Sequence, residues 1–201
     1  SPYMSMGGSA ANLPLLGLAL LRTNHPLDSL ESLLPYMPIY YTAIQSQGRG
    51  RVRVLPGMRD PLVTYAMTGA DIQRLQSGMG RLLELILAAG ARQAIPSVLA
   101  GNPITSPDQI PAEVAKVTRR TADVMTVHVC SSVPMGEDRT RCAVDSWGRS
   151  HWADGVIVND ASILNSAPGI NPQGTVVALA TRNAEHYLHD HGVAAPPREH
   201  S

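Results

Sequence analysis

Residues 128–175 read HVCSSVPMGEDRTRCAVDSWGRSHWADGVIVNDASILNSAPGINPQGT, and no other stretch of the chain says as much about its fold. Near the centre, Val156-Ile157-Val158 is a short apolar run, the pattern of a strand covered on both faces. Ahead of it, Cys130 to Gly148 is long and polar and predicts a loop. Behind it, Asn165 to Gly174 holds two prolines and two glycines and predicts another. Upstream, Val124 to Val129 is strand-like. From Val176 the period changes: Val176, Val177, Ala180, Ala184, Tyr187 and Leu188 fall on one side of a helix ending near Leu188. The tail from Gly192 reads as flexible.

Working outward, Pro35 to Ser46 is β-branched and aromatic enough to predict a strand, and Gly48-Arg49-Gly50 predicts a turn. Arg51-Val52-Arg53-Val54 alternates at period two, as a half-buried strand does, and Leu62 to Tyr65 reads as a third short strand. Ile72, Leu75, Met79, Leu82, Leu83, Ile86 and Leu87 then recur at helical spacing. Thr68 is the predicted N-cap, Asp71 lies in the first turn and Gly90 is the stop. Pro96 to Pro107 is loop-like, and Pro111 opens a predicted short helix to about Arg120. Residues 1 to 35 are rich in Leu, Gly, Pro and Met and show no clean period. There is no internal repeat.

Composition narrows the function classes. The 201 residues are 44% hydrophobic and only 16% charged, which predicts a folded chain with a core. Sixteen basic residues balance sixteen acidic ones, an argument against a nucleic-acid binder or a polybasic membrane-surface protein. No apolar run approaches the roughly 20 residues of a membrane span. Two cysteines, Cys130 and Cys142, cannot make a disulfide framework. The start, Ser1-Pro2-Tyr3-Met4, has no initiator Met and no basic stretch, so no intact signal peptide is expected. A cytoplasmic location is the expectation, with any signal peptide in a preceding portion. Lys116 is the only lysine, and the excess of Arg reads as coding preference.

The order of motifs points further. His128 is followed by Cys130-Ser131-Ser132, Met135-Gly136, Ala143-Val144-Asp145 with Gly148-Arg149, Asp160-Ala161-Ser162 and Asn171-Pro172. This ordered set resembles the C-terminal part of the glucose–methanol–choline (GMC) oxidoreductases, FAD-dependent alcohol oxidases and dehydrogenases. Gly48 to Gly90 also looks like that family's substrate-domain sheet and long helix. The resemblance implies an α/β fold: an α+β substrate-domain sheet with helices over 1–121, then the closing strand and helix of a Rossmann-like FAD domain over 122–191, then a flexible tail, 192–201. The family's opening Gly-x-Gly-x-x-Gly turn, which cradles the FAD pyrophosphate, is absent from these residues. A second polypeptide segment carrying it is therefore the expected partner, either the rest of a nicked precursor or a separate subunit. On this reading the chain is not found folded alone.

Site residues follow from the same resemblance. His128 matches the family's catalytic His, and an imidazole suits removal of a hydroxyl proton because its ordinary pKa lies near neutrality. Asn171 matches the second active-site position, His in some members and Asn in others; its amide can orient a hydroxyl but cannot act as a base. Asn171-Pro172-Gln173-Gly174-Thr175 precedes a helix N-terminus whose positive end would stabilise anionic reduced flavin, with Pro172 fixing the backbone and Thr175 capping the helix. Asp160 and Ala161 match the segment whose backbone approaches the FAD pyrophosphate and ribityl chain. On local sequence alone, a satisfied histidine at a strand end, a helix cap and a strand-end turn serve these positions as well.

No metal is expected. His186, His189, His191 and Asp190 could cluster, but they read as a solvated helix end. Ser131 and Ser132 near His128 lack the Gly-x-Ser-x-Gly elbow of a hydrolase. Glu137 to Arg141 reads as solvated surface. The expected function is part of an FAD-dependent oxidoreductase acting on a small-molecule alcohol, with His128 taking the proton as hydride passes to flavin N5. The alternatives are a GMC-type lyase that keeps FAD as a structural cofactor, as hydroxynitrile lyases do, and a non-catalytic accessory subunit.

Overall fold

A computed structural model describes residues 4–26, 28, 30–126 and 128–193. They divide into two compact units, Ser1–Met125 and Thr126–Ser201. The predicted tail lies, from residue 194 onward, outside the described residues.

The first unit runs β1 (Met4–Ser9), α1 (Leu13–Leu20), α2 (Leu30–Leu33), β2 (Ile39–Ile44), β3 (Arg49–Arg53), β4 (Leu62–Ala66), α3 (Gly69–Ala88) and α4 (Ile110–Ala115). Its strands form two antiparallel pairs. β1 pairs β2 from Met4 opposite Ile44 to Ser9 opposite Ile39. β3 pairs β4 from Arg49 opposite Ala66 to Arg53 opposite Leu62. Three elements here, β1, α1 and the short α2, escaped the sequence reading. β1 is Met-Ser-Met-Gly-Gly-Ser, with no β-branched residue, and is a strand because β2 supplies its ladder. α1 is apolar nearly all round, but Asn12 caps it, accepting a hydrogen bond from the Leu15 amide at 2.9 Å.

α3 forms where its period predicts. Thr68 and Asp71 make a capping box: the Thr68 hydroxyl accepts from the Asp71 amide at 3.1 Å, and Asp71 accepts from the Thr68 amide at 2.7 Å. Leu83 of this helix packs with Ala94, Ile104 and Ile110 in a core flanked by Met79, Ile86, Leu87 and Val114. Gly78 lets the helix lie close on the β1–β2 pair, since a Cβ there would run into Thr42 Oγ1 and sit 2.8 Å from Met4 Sδ. α4 is shorter than predicted. It ends at Ala115, and the Lys116 amide closes it on the Glu113 carbonyl; residues 118 to 121 form a bend and turn held by Thr118 and Thr121, and Ala122 bridges to Val98.

The second unit contains α5 (Gln173–Asp190), a 3-10 turn at Ala161–Ile163 and isolated bridges. Two predicted strands are corrected here. Residues 124–126 and 128–129 form no strand. Val156 to Val158 make no closing strand either: only Ile157 bridges, to Arg149, and Val156 and Ile157 are 48% and 40% exposed in this chain. A short apolar run fixes neither a ladder partner nor burial, and here the partner is a single turn. α5 starts three residues before the predicted Val176. Among the described residues, no helix is long and apolar enough to cross a membrane.

Candidate active site

The scaffold of the second unit starts at Asp145. Its carboxylate accepts from the Trp147 amide at 2.8 Å and the Arg149 amide at 2.9 Å, folding Val144 to Arg149 into an Asx-type turn. Gly148 completes that turn with φ +82, and its carbonyl accepts the Val158 amide at 2.8 Å. A Cβ at 148 would strike the Val158 carbonyl, so glycine is required twice over. Pairing with this turn delivers the chain to Asp160. The Asp160 carboxylate accepts from the Ser162 amide at 2.7 Å and caps the 3-10 turn that begins at Ala161. Hydrogen bonds from Ser162 hold that carboxyl below the usual carboxylate range. Val133 and Met135 donate back to the Ser162 and Ile163 carbonyls at 3.0 Å each, so the loop after His128 is tied to the Asp160 turn. Within that loop Ser131 adopts φ +68, a conformation side chains rarely take.

α5 closes the unit. Pro172 is its N-cap, with no side-chain cap hydrogen bond. Thr175 therefore does not cap, a correction to the sequence reading: it lies inside the first turn, where its hydroxyl is past the cap position. Pro172 is buried, whereas His128, Asn171 and Gln173 are exposed. His128, Asn171, Pro172, Gln173, Val176 and Val177 surround one open depression of about 340 Å³. Asp160, Ala161 and Thr175 do not line it.

Several contacts at the far end of α5 were not legible in the sequence. Trp147, from the Asx turn, stacks on His186 with ring centroids 3.7 Å apart, and the Arg182 guanidinium lies 4.6 Å from the Trp147 ring. His186 is thus not a solvated helix end but a half-buried ring within 3.5 Å of Asp190, which also pairs with Arg149. Asn183 is only 4% exposed and bonds to Asn159. A buried Asn mid-helix is a poor helix former, and that low propensity is the signal a sequence reader could follow. Among the described residues, no three His, Cys, Asp or Glu side chains could hold a metal. Burial pushes the Cys130 thiol upward.

Comparison with known proteins gives the family. A family model described as GMC oxidoreductase matches residues 46–180. An uncharacterized GMC-type oxidoreductase of Sinorhizobium fredii is 36% identical over 185 residues, which is 92% of this chain and 37% of that protein. A long-chain-alcohol oxidase of Arabidopsis thaliana is 26% identical, covering 72% of this chain and 21% of the oxidase. In fold, the chain is similar to pyridoxine 4-oxidase from Mesorbium loti, with a TM-score of 0.51 at 22% identity, over 94% of this chain and 35% of that one. The chain belongs to the GMC oxidoreductase family. It spans little more than a third of the length of the first of these relatives.

The residues at the depression suit the flavin-facing end of FAD, the family's usual cofactor. An uncapped 18-residue helix presents its positive end there, beside the Asn171 amide and the apolar Pro172, Val176 and Val177. The Asp160 carboxylate is engaged as a cap and the Asp160 and Ala161 carbonyls accept from Ile163 and Leu164, so it is the backbone amides of the 160–161 turn that could meet an anionic phosphate.

Proposed function

We propose that this chain is the substrate-side and C-terminal portion of an FAD-dependent oxidoreductase that oxidises a CH–OH group of a small-molecule alcohol. One observation carries the reading. His128 and Asn171, far apart in sequence, line the same depression at the N-terminus of α5. FAD bound there supplies the hydride acceptor. An alcohol carbon that gives up hydride must also release its hydroxyl proton, and the exposed His128 imidazole is the group at the depression suited to take it. The Asn171 side chain donates a hydrogen bond to the substrate oxygen and holds it in place without titrating. Pro172, Val176 and Val177 supply an apolar wall that limits water beside the reacting carbon.

The remaining part of the cofactor site, including a Gly-x-Gly-x-x-Gly turn, belongs to a further polypeptide segment in this reading. That assignment is supported by the greater length of the relatives and by the exposed apolar residues of this chain, among them Val156 and Ile157. Anaerobic mixing of the intact protein with a primary alcohol tests the chemistry. Bleaching of the flavin absorbance is expected. A lyase that keeps FAD only as a structural cofactor would leave it oxidised, and an accessory subunit would bind none.

A further inference from the structure

Asn183 joins two segments of the second unit. Its Nδ2 donates to Asn159 Oδ1 at 3.1 Å, and Asn159 Nδ2 donates to the Ala180 carbonyl of α5 at 3.2 Å. Its Oδ1 accepts from Arg182 Nε at 3.1 Å and from Arg182 Nη2 at 2.8 Å; the same Nη2 also donates to the Ser146 carbonyl. At 4% exposure, the amide has little water to fall back on, so each bond lost leaves a buried polar atom unmet. Asn159 immediately precedes the Asp160–Ala161 turn, and α5 carries Asn171-Pro172-Gln173 at its start.

We propose that Asn183 is a positioning residue for the cofactor: through Asn159 it fixes the axial placement of α5 against the Asp160–Ala161 turn. The proposal rests on the flavoenzyme reading above. Its physical basis is the shape of the contact. Apolar packing lets a helix slide by fractions of an ångström, but one Asn159 amide that accepts from Asn183 and donates to the Ala180 carbonyl has one register in which both bonds are made. Arg182, stacked on Trp147 and bonded to Ser146, holds the Asn183 oxygen from the other side and blocks the alternative amide orientation, because a guanidinium only donates. Asn183 touches neither the depression nor any residue lining it among the contacts described, so its influence on the site is through α5.

The test is FAD affinity and the visible flavin spectrum of the intact protein, for Asn183→Leu and Asn159→Ala, with Tm measured alongside. Each single variant is expected to weaken FAD binding at least tenfold and to move the flavin absorbance bands. The double variant is expected to do little more than either single one, because both remove the same link. FAD affinity within twofold of the parent, with a lowered Tm alone, would reduce Asn183 to a structural residue and overturn the proposal. If Asn183→Leu does not fold, Asn159→Ala, which removes the partner from a more exposed site, gives the same reading. A parent protein that binds no FAD would instead defeat the function proposed above, and this inference with it.

Discussion

Asp71 is fully buried, yet it remains a carboxylate. Burial pushes its pKa up, but hydrogen bonds from Gln47, Thr68 and Ser46 outweigh it and hold the group at about 2. The bonds reach from β2's exit, Ser46 to Gly48, to the start of α3, so one side chain both caps the helix and fixes the entry to β3. The folded value lies below the ordinary one of 3.8. Its contribution, about 2 kcal/mol, is therefore complete above about pH 4 and fades as pH falls toward 2. Urea unfolding as a function of pH checks this: the parent's stability is expected to drop across that window, and the Asp71→Asn variant is expected to start lower and show less of the drop. His128 and Asn171 are legible by type and order, but their meeting at one depression is a tertiary fact. Asn183 was read only as part of a helix, because burial of a polar residue leaves no mark in a hydrophobic period.

α3 shows why some elements are readable and others are not. Its apolar positions, cap and stop are all local, and the helix follows them within a residue or two. β1 has no such local signal, since its conformation comes from pairing with β2. Val156 to Val158 has the opposite problem, a strong local signal with no ladder to join among the described residues. Gly78 and Gly80, both in the middle of α3, separate packing from propensity. Gly78→Ala places a methyl group against Thr42 and Met4 and is expected to destabilise by about 1–3 kcal/mol. Gly80→Ala meets only Val114 and Ile110 at 3.7 and 3.9 Å, ordinary contact distances, and is expected to stabilise by up to about 1 kcal/mol. Thermal melts of the two variants should move in opposite directions.

At the scale of the molecule, β3 and β4 are exposed along their whole length. One face of the pair carries Arg49, Arg51 and Arg53; Val52, Val63 and Tyr65 stand at the alternating positions, the three of them 57% to 64% exposed. A two-stranded sheet with both faces open is marginal by itself. Residues 1–201 expressed alone are therefore expected to self-associate, and to become soluble on co-expression with a segment that carries the Gly-x-Gly-x-x-Gly turn. Light scattering of the two preparations reads this, and a cooperatively melting, flavin-free monomer would contradict it.

In the proposed mechanism His128 takes the hydroxyl proton while Asn171 holds the oxygen. Stopped-flow measurement of flavin reduction in His128→Ala, in the intact protein, tests it most directly. An FAD-replete variant is expected, with its reduction by an alcohol slowed about 10²- to 10⁴-fold. Reduction within a few-fold of the parent rate would contradict it.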